Sequence, residues 1–196
     1  PKARAGTAPR PLPAINLAPG PNPLPGHTGE TVTEGLDGLR ERCEEYYNMG
    51  ARFAKWRAVI SISKNRPSAA SVSTNSHALA RYASICQEQG LVPIIEPEVL
   101  MDGDHSIMEC FKVTSEVLKA VYSECRIQGV VLSGTILKPN MVLPGKESRG
   151  ALADEVAKLT CEALQQNVPT DVAGIAFLSG GQSEYDATHH LNRINQ

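Results

Sequence analysis

From residue 31 onwards, short apolar runs alternate with stretches of helical periodicity, and this alternation constrains the fold more than any other feature of the sequence. It predicts strands at 52–57, 91–98, 130–137 and 172–178, each followed by a helix. Near-continuous apolar strands separated by amphipathic helices are typical of a parallel sheet covered by helices. Two α/β architectures fit this pattern: an open doubly wound sheet and a (β/α)8 barrel.

Charged residues at the ends of three predicted strands favour the barrel. Lys55, Glu96, Glu98 and Lys138 would lie at the C-terminal mouth, where barrel enzymes keep their chemistry. Neither GxGxxG nor GxxxxGK[ST] follows a strand, which disfavours the nucleotide-binding alternatives. We therefore expect a (β/α)8 TIM barrel family fold. Because closure takes about eight strands, we expect an incomplete barrel with about four parallel strands and covering helices.

The helices have recognisable start and stop signals. A capping box at 31–34 predicts a first helix with Leu36, Leu39, Cys43 and Tyr47 on one stripe. Asn75 predicts the N-cap of a second helix that runs to residue 89. Further helices are expected at 105–125, at 153–166 and after Ser183.

The first 25 residues differ from the rest of the chain in composition. Eight of the fourteen prolines lie there, among glycine, alanine and a few basic residues. Such a stretch buries too little apolar surface to offset the entropy of ordering it. We therefore predict a Pro-rich disordered or extended segment at 1–25 and one domain at 26–196.

Charge and cysteine content exclude several classes of protein. With 20% charged residues and a formal net charge of −2, we expect no nucleic acid and no membrane as a partner. No apolar run approaches the ~20 residues that cross a bilayer. The five cysteines are scattered, without a CxxC pair, and are typical of buried thiols in a reducing compartment. We expect a cytoplasmic location.

Lys138 is the sharpest candidate for chemistry. An apolar run delivers this lysine to the barrel mouth, and Pro139 ends the strand immediately. Partial desolvation and a second ammonium group, that of Lys55, would both disfavour the charged form, and an uncharged amine attacks carbonyls. Alternatively, the lysine reaches from the strand end to water or pairs with a carboxylate.

Glu96 and Glu98 are two residues apart on one strand, so their side chains share a face. Such a pair can divide an acid role from a base role. It could equally bind a divalent cation, with further oxygen ligands from residues 102–105. A third interpretation is an ion-pair network with Lys55 and Lys138. We interpret residues 102–105 mainly as a turn before a helix.

A glycine-containing loop joins the last predicted strand to the final helix. Backbone N–H groups of Ser179, Gly180 and Gly181 would form an anion site near a helix start. Arg57, at the end of its own strand, could add a bidentate phosphate contact. The alternative is a tight turn that binds nothing.

Taken together, the motifs resemble those of class I fructose-bisphosphate aldolases, the Schiff-base type. The resemblance covers about Leu24 to Gln196, whereas residues 1–22 resemble nothing in that family. The motifs, in family order and at family-like spacing, are GETVTEGLDGL (29–39), FAKWR (53–57), ARYASICQ (80–87), VPIIEPE (92–98), DGDH (102–105), LKPNMV (137–142) and FLSGGQS (177–183).

The resemblance implies a role for each matching residue. Lys138 is similar to the imine-forming lysine, Glu96 to the principal acid/base, and Lys55 to a supporting lysine that contacts the sugar. Glu98 matches a carboxylate held against the catalytic lysine. Arg57 matches a residue of the phosphate region, and Ser179, Gly180 and Gly181 match the dihydroxyacetone phosphate loop. The implied enzyme is a glycolytic lyase that needs no cofactor and no metal, and its members are usually homotetramers.

Besides the unmatched residues 1–22, the chain departs from the family in two respects. Ser133 stands where the family usually has a glutamate, which removes a charge close to Lys138 in sequence. The first three barrel strands and the eighth are not matched. Two interpretations follow: an aldolase that cleaves fructose 1,6-bisphosphate, or a truncated non-catalytic paralogue that binds partners or associates with full-length subunits.

Overall fold

The computed structural model describes residues 13–196, which contain seven strands, five α-helices and one 3₁₀ turn. The strands are β1 (Ala14–Asn16), β2 (Pro21–Pro23), β3 (Thr31–Thr33), β4 (Phe53–Ile60), β5 (Val92–Val99), β6 (Ile136–Leu137) and β7 (Gly174–Ile175). The helices are α1 (Leu39–Asn48), α2 (Ala69–Glu88), α3 (Ile107–Ile127), α4 (Ala153–Asn167) and α5 (Glu184–Ile194), and the 3₁₀ turn is Leu132–Gly134.

Five of the strands form one parallel sheet in the order β1-β4-β5-β6-β7. Strands β2 and β3 form a separate antiparallel hairpin. The predicted α/β architecture is confirmed: the sheet is an open part of a (β/α) barrel, with helices between successive strands. The four predicted strands are present, and β1 is a fifth that the sequence analysis did not find.

The register gives the central strands two different faces. Lys55 pairs with Ile94 and Arg57 with Glu96, and partners across a parallel pair point to the same side. The alternate residues of β4, such as Trp56, are fully buried. One face therefore packs beneath the helices, and the other carries charged side chains towards the barrel interior.

Trp56 is the centre of the helix-covered core. Its ring stacks on that of Tyr82 in α2, with the ring centroids 5.4 Å apart. The buried Tyr82 hydroxyl donates to the Ala54 carbonyl at 2.6 Å, which satisfies its polar group inside the core. Within residues 13–196, no helix is both long and apolar enough to cross a bilayer.

The start of the first helix was predicted incorrectly. Thr31–Thr33 is strand β3, and α1 begins at Leu39 after Gly38. The reason is local: Gly35 and Gly38 have φ values of 111° and 62°, which interrupt a right-handed helix. Thr31, the predicted cap, pairs with Pro23 in the hairpin of β2 and β3, and the Thr33 hydroxyl donates to the carbonyl of Arg57.

The N-cap of α2 is Ser68 rather than Asn75. The Ser68 hydroxyl accepts from the Ser71 N–H, and the helix begins seven residues earlier than expected, at Ala69. Asn75 lies inside the helix and is 2% exposed. Its amide donates to the carbonyls of Thr31 and Ser71, so its polarity serves the packing of β3 on α2.

The strand predicted at 130–137 is much shorter in the structure. Residues 132–134 form a 3₁₀ turn, and β6 contains two residues. The side chain of Gln87 holds this turn, since it accepts from the Val131 N–H and donates to the Val131 carbonyl. Apolar character thus indicated the burial of Val130, Leu132 and Leu137, but Val131 is exposed, and the pattern did not distinguish a turn from a strand.

Part of the predicted Pro-rich segment belongs to the sheet. Residues 14–16 pair with residues 53–55 of β4, and Leu17 is buried in the core. Residues 21–23 are extended as well, as one arm of the hairpin with β3. The folded domain therefore includes residues before 26, and residues 1–12 of the predicted segment lie outside the described part of the chain.

Candidate active site

Lys138 follows β6 directly and continues its pairing with β5, because its N–H donates to the Ile95 carbonyl at 2.8 Å. The side chain leaves on the interior side, the side of Ile136 and of its partner Ile94. It is 31% exposed, and its Nζ lies 3.0 Å from Oε1 of Glu96. The amine thus reaches the barrel mouth, as expected, with one carboxylate in contact.

Glu96 is shared between two lysines. Its second oxygen, Oε2, lies 2.8 Å from Nζ of Lys55, and the residue is 3% exposed. The angles at this contact do not fit a hydrogen bond, but its length is that of an ion pair between the Lys55 ammonium group and the Glu96 carboxylate. A carboxylate buried to this degree needs such partners, since an unpaired buried charge is strongly destabilising.

The arrangement differs in one respect from the expected lysine–lysine contact. Glu96 lies between the two ammonium groups, so Lys138 meets a carboxylate first and Lys55 beyond it. A proton acceptor within 2.6–3.2 Å of an amine satisfies the geometry of general acid–base catalysis. The centre is therefore suited to moving a proton between Lys138 and Glu96.

Glu98 pairs with Arg57 rather than with Lys138. The Arg57 Nε–H donates to Oε2 of Glu98, and this hydrogen bond raises the pKa of the guanidinium against the opposing effect of burial. With Nε engaged, the two terminal nitrogens of Arg57 can face the cavity. The structure thus separates the two carboxylates, each with its own cation.

A cavity of about 450 Å³ adjoins these groups. It is lined by Arg57, Glu96, Glu98, Lys138 and residues 177–181. Lys55 is not part of the lining, although it contacts Glu96, which is. The cavity size is that of a small-molecule site, and its lining brings together all the predicted site residues except Lys55, which reaches it through Glu96.

The loop of Ser179, Gly180 and Gly181 forms one border of the cavity. Gly180 and Gly181 have φ values of 62° and 86°, which favour glycine. The N–H and the side-chain amide of Gln182 both donate to the Ser179 carbonyl, which closes the loop just before Ser183 caps α5. The loop therefore presents backbone near a helix start, an arrangement suited to anions.

The metal interpretation of this region finds no support in the geometry of residues 13–196. In this range, no group of three His, Cys, Asp or Glu side chains could hold an ion. Glu96 and Glu98 are occupied by cationic side chains, and Asp102 pairs with Lys146 at 3.1 Å. The predicted turn at 102–105 leads to Ser106, which caps α3 in a capping box with Glu109.

Ser133 lies away from the candidate site. It is exposed on the 3₁₀ turn that precedes β6, whereas Lys138 follows the carboxyl end of that strand. A glutamate at this position would thus lie at the other end of β6 from Lys138, because closeness in sequence along an extended segment is not closeness in space.

One residue at the site escaped sequence analysis. Asn140, two positions after Lys138, is buried, and its side chain bonds to the N–H of Val99 at the end of β5. Phe177 and Leu178 also line the cavity. The polar Asn140 between apolar neighbours was the available signal, since buried amides in such runs generally have specific hydrogen-bond partners.

Comparison with known proteins extends this description. The family model for class-I fructose-bisphosphate aldolase matches residues 9–196. A probable fructose-bisphosphate aldolase class 1 of Xanthomonas campestris is 54% identical over 186 residues, which are 94% of this chain and 56% of that protein. The cytosolic fructose-bisphosphate aldolase 6 of Arabidopsis thaliana is 54% identical over 185 residues, which are 94% and 52% of the two chains.

A solved structure agrees. Fructose-bisphosphate aldolase from Plasmodium falciparum, in complex with TRAP and a small molecule inhibitor, superposes with a TM-score of 0.92 and 48% identity, covering 94% of this chain and 54% of that one. The match to the family begins at residue 9, not at Leu24, which corrects the predicted start. Strand β1 was not predicted because it lies in a proline-rich stretch of the sequence, although it pairs with β4 like any other strand of the sheet.

The fold and the site define an open (β/α) barrel that presents a lysine–carboxylate–lysine centre on the interior face of β4 and β5 and just beyond the end of β6, whereas the sequence analysis expected Lys55 and Glu96 at strand ends. With its sequence matched almost throughout, the chain belongs to the class I fructose-bisphosphate aldolase family. It spans about half the length of the curated relatives that it matches.

Proposed function

We propose that the protein containing this chain cleaves fructose 1,6-bisphosphate reversibly into dihydroxyacetone phosphate and glyceraldehyde 3-phosphate, through an imine on Lys138. The observation that carries the proposal is the shared carboxylate: Glu96 contacts both Lys138 and Lys55 at the wall of an open cavity. The family and the fructose-bisphosphate aldolase names of its relatives support the same substrate.

In this proposal, Lys138 loses a proton to Glu96 and its neutral amine attacks the C2 carbonyl of the open-chain ketose. Protonation of the resulting hydroxyl releases water and leaves a positively charged imine. Removal of the C4 hydroxyl proton by a carboxylate then lets the C3–C4 bond break. Its electron pair is delocalised onto the imine nitrogen, and the aldehyde product leaves.

We assign the transfer of these protons to Glu96. Its Oε1 is within hydrogen-bond distance of Lys138, and Lys55 holds its other oxygen. Once the amine is part of an imine, Glu96 keeps Lys55 as a partner, so the buried carboxylate is never left unpaired. We assign Glu96 the acid/base role and Lys55 a supporting role through its contact with Glu96.

Anion-binding groups at the other side of the cavity fit a sugar phosphate. The loop of Ser179, Gly180 and Gly181 offers backbone donors near the start of α5, and Arg57 offers a guanidinium held by Glu98. We assign both to phosphate binding. As for the named Arabidopsis relatives, we propose a cytoplasmic location; the homotetramer stays a prediction.

The test is covalent trapping in the full-length protein. Borohydride in the presence of dihydroxyacetone phosphate should fix one adduct per subunit, and peptide mapping should place it on Lys138. EDTA should leave the trapping rate unchanged, because the chemistry described uses an amine rather than a metal. An adduct on Lys55 or Lys146, or loss of trapping on chelation, would contradict the proposal.

A further inference from the structure

The segment after Lys138 is buried without being a strand. Residues 139–143 have no regular secondary structure, yet each of them is buried. Strand pairing between β5 and β6 is limited to Ile94 with Ile136 and Ile95 with Leu137, extended by the bond from the Lys138 N–H to the Ile95 carbonyl. Some other interaction must hold this segment against β5, which continues to Val99.

Asn140 supplies that interaction through its side chain. Its Oδ1 accepts from the Val99 N–H at 3.0 Å. Its Nδ2 donates to the Thr114 hydroxyl on α3 at 3.1 Å and to the Met141 carbonyl at 3.0 Å. The side-chain amide thus acts in place of a backbone peptide and continues the link between β5 and the residues that follow β6.

The two ends of this link are close to the proposed chemistry. Val99 is three residues after Glu96, and Asn140 is two residues after Lys138. A shift of the 139–143 segment away from β5 would lengthen the 3.0 Å contact between Lys138 and Glu96. Because Asn140 is 5% exposed, water does not readily replace its hydrogen bonds.

We propose that Asn140 is a positioning residue, which fixes the spacing between Lys138 and Glu96 by bonding the ends of β5 and β6. The positioning itself is independent of the proposed function, whereas its effect on imine formation rests on that function. Two measurements therefore test it, one structural and one chemical.

Asn75 offers a matched control. It is also a buried asparagine, and its Nδ2 also donates to two partners, the carbonyls of Thr31 and Ser71. These bonds join α2 to β3 and do not involve the segment after Lys138. Asn75→Ala should weaken the fold as Asn140→Ala does, without moving the site.

The structural measurement is hydrogen exchange of the backbone amides. In Asn140→Ala, we expect the amides of Val99 and Lys138 both to exchange about tenfold faster, since the first loses its acceptor and the second the alignment of its bond to Ile95. In Asn75→Ala, both amides should keep their protection. If only Val99 exchanges faster in Asn140→Ala, the residue makes a local bond and positions nothing.

The chemical measurement is the rate of borohydride trapping with dihydroxyacetone phosphate in the full-length protein. We expect a fall of about 10²-fold in Asn140→Ala, the effect of a displacement of about 1 Å. Thr114→Val removes one partner of Nδ2 but leaves the Val99 bond, so a fall of about threefold is expected. Equal rates for Asn140→Ala and Thr114→Val would overturn the proposal.

The two measurements separate the possible failures. If the unmodified protein forms no adduct, the proposed function is wrong, and exchange at Val99 and Lys138 still decides the role of Asn140. If the unmodified protein forms the adduct and Asn140→Ala traps as fast as Asn75→Ala, the proposed function stands and the positioning role is wrong.

Discussion

Successive residues of strands β4, β5 and β6 point alternately to two opposite faces of the sheet. Towards the helices they present Ala54, Trp56, Ile95 and Leu137, all fully buried. Towards the interior they present Lys55, Arg57, Glu96, Glu98 and, just beyond β6, Lys138. The first face is uniform and apolar, whereas every charge on the second is paired.

The difference shows how one strand can serve two purposes. Side chains point alternately to the two faces of a strand. Burial of the apolar side chains on one face therefore fixes the register of the strands, and this register decides which charged side chains meet on the other face. If the register of β4 shifted by one residue, Trp56 would face the interior, and the same shift in β6 would turn Lys138 towards the helices. The apolar face thus sets the geometry of the polar face without contacting substrate, and the two faces should respond differently to substitution.

The largest effect is expected at Lys138. Lys138→Arg should abolish trapping, because a guanidinium keeps its proton and does not attack a carbonyl. Its charge should still pair with Glu96, so the thermal unfolding midpoint should change little. The measurement is mass spectrometry of the borohydride-reduced protein, with Lys146→Arg as control. Residual adduct at another lysine would show that the polar face holds a different nucleophile.

Glu96→Gln should reduce the turnover rate by about 10²–10⁴-fold, the usual contribution of a general acid–base group. Some imine should still form, since Lys138 can lose its proton to solvent. Single-turnover kinetics would separate imine formation from C–C cleavage. Glu98→Gln is the comparison, because Glu98 pairs with Arg57 and not with Lys138; an equal loss in both variants would contradict the division of roles.

On the apolar face, Trp56→Ala should lower the free energy of unfolding by about 3–5 kcal/mol, as for other large aromatic truncations. Trp56 is fully buried and stacks on Tyr82, so little relaxation can refill the space. Denaturant unfolding measures the effect, with the exposed Ile127→Ala as control. Wherever the variant is folded, the adduct should still map to Lys138, and an altered site of attachment would break the separation of the two faces.

His105 predicts a smaller, pH-dependent effect. Burial lowers its pKa below the ordinary value of about 6.5. Below about pH 6.5, His105 binds a proton in the unfolded chain but remains neutral in the folded chain. The contribution of His105 to the free energy of unfolding is therefore fully present above about pH 6.5 and is lost as the pH falls towards the pKa of His105 in the folded chain. We therefore expect the free energy of unfolding to fall between pH 7.5 and pH 5.5, in part because of this residue.

Urea unfolding at pH 7.5 and 5.5 measures this loss, and His105→Gln should lose less stability over that interval than the unmodified protein. An identical loss in both would show that His105 does not contribute to the acid sensitivity of the fold.

The smallest effect is expected for Ser133→Glu. The residue is exposed on the 3₁₀ turn before β6, so a carboxylate there is screened from Lys138 by distance and solvent. Trapping rates should agree within about twofold, compared over a range of salt concentrations. A larger, salt-sensitive change in the trapping rate would show that a charge at residue 133 affects the reaction of Lys138.

These particulars show where sequence reasoning was sufficient. Lys138, Glu96 and Lys55 were predicted as candidates because each charge interrupts an apolar run, and the register of the parallel sheet turns all three towards the same interior face. The partners within the cluster were not predictable. Whether Glu98 pairs with Lys138 or with Arg57 depends on register and side-chain direction, and neither is encoded in local spacing.

Local signals failed where a tertiary contact competed with them. At Thr31 no helix begins despite the apparent capping box, because β3 pairs with β2 and the glycines that follow have positive φ values. Asn75 has the chemistry of a helix cap, yet its amide joins α2 to β3. The same reasoning explains why Asn140 was overlooked, since its partner Val99 is 41 residues away.

The sharing of Glu96 has a consequence for how substrate is attracted. Two ammonium groups and one carboxylate leave one net positive charge in the cluster. Transfer of the Lys138 proton to Glu96 creates the neutral amine without changing that total. A sugar phosphate, the substrate that we propose, would therefore meet nearly the same long-range electric field whether Lys138 is protonated or neutral, and added salt should slow its encounter with the site equally in both states.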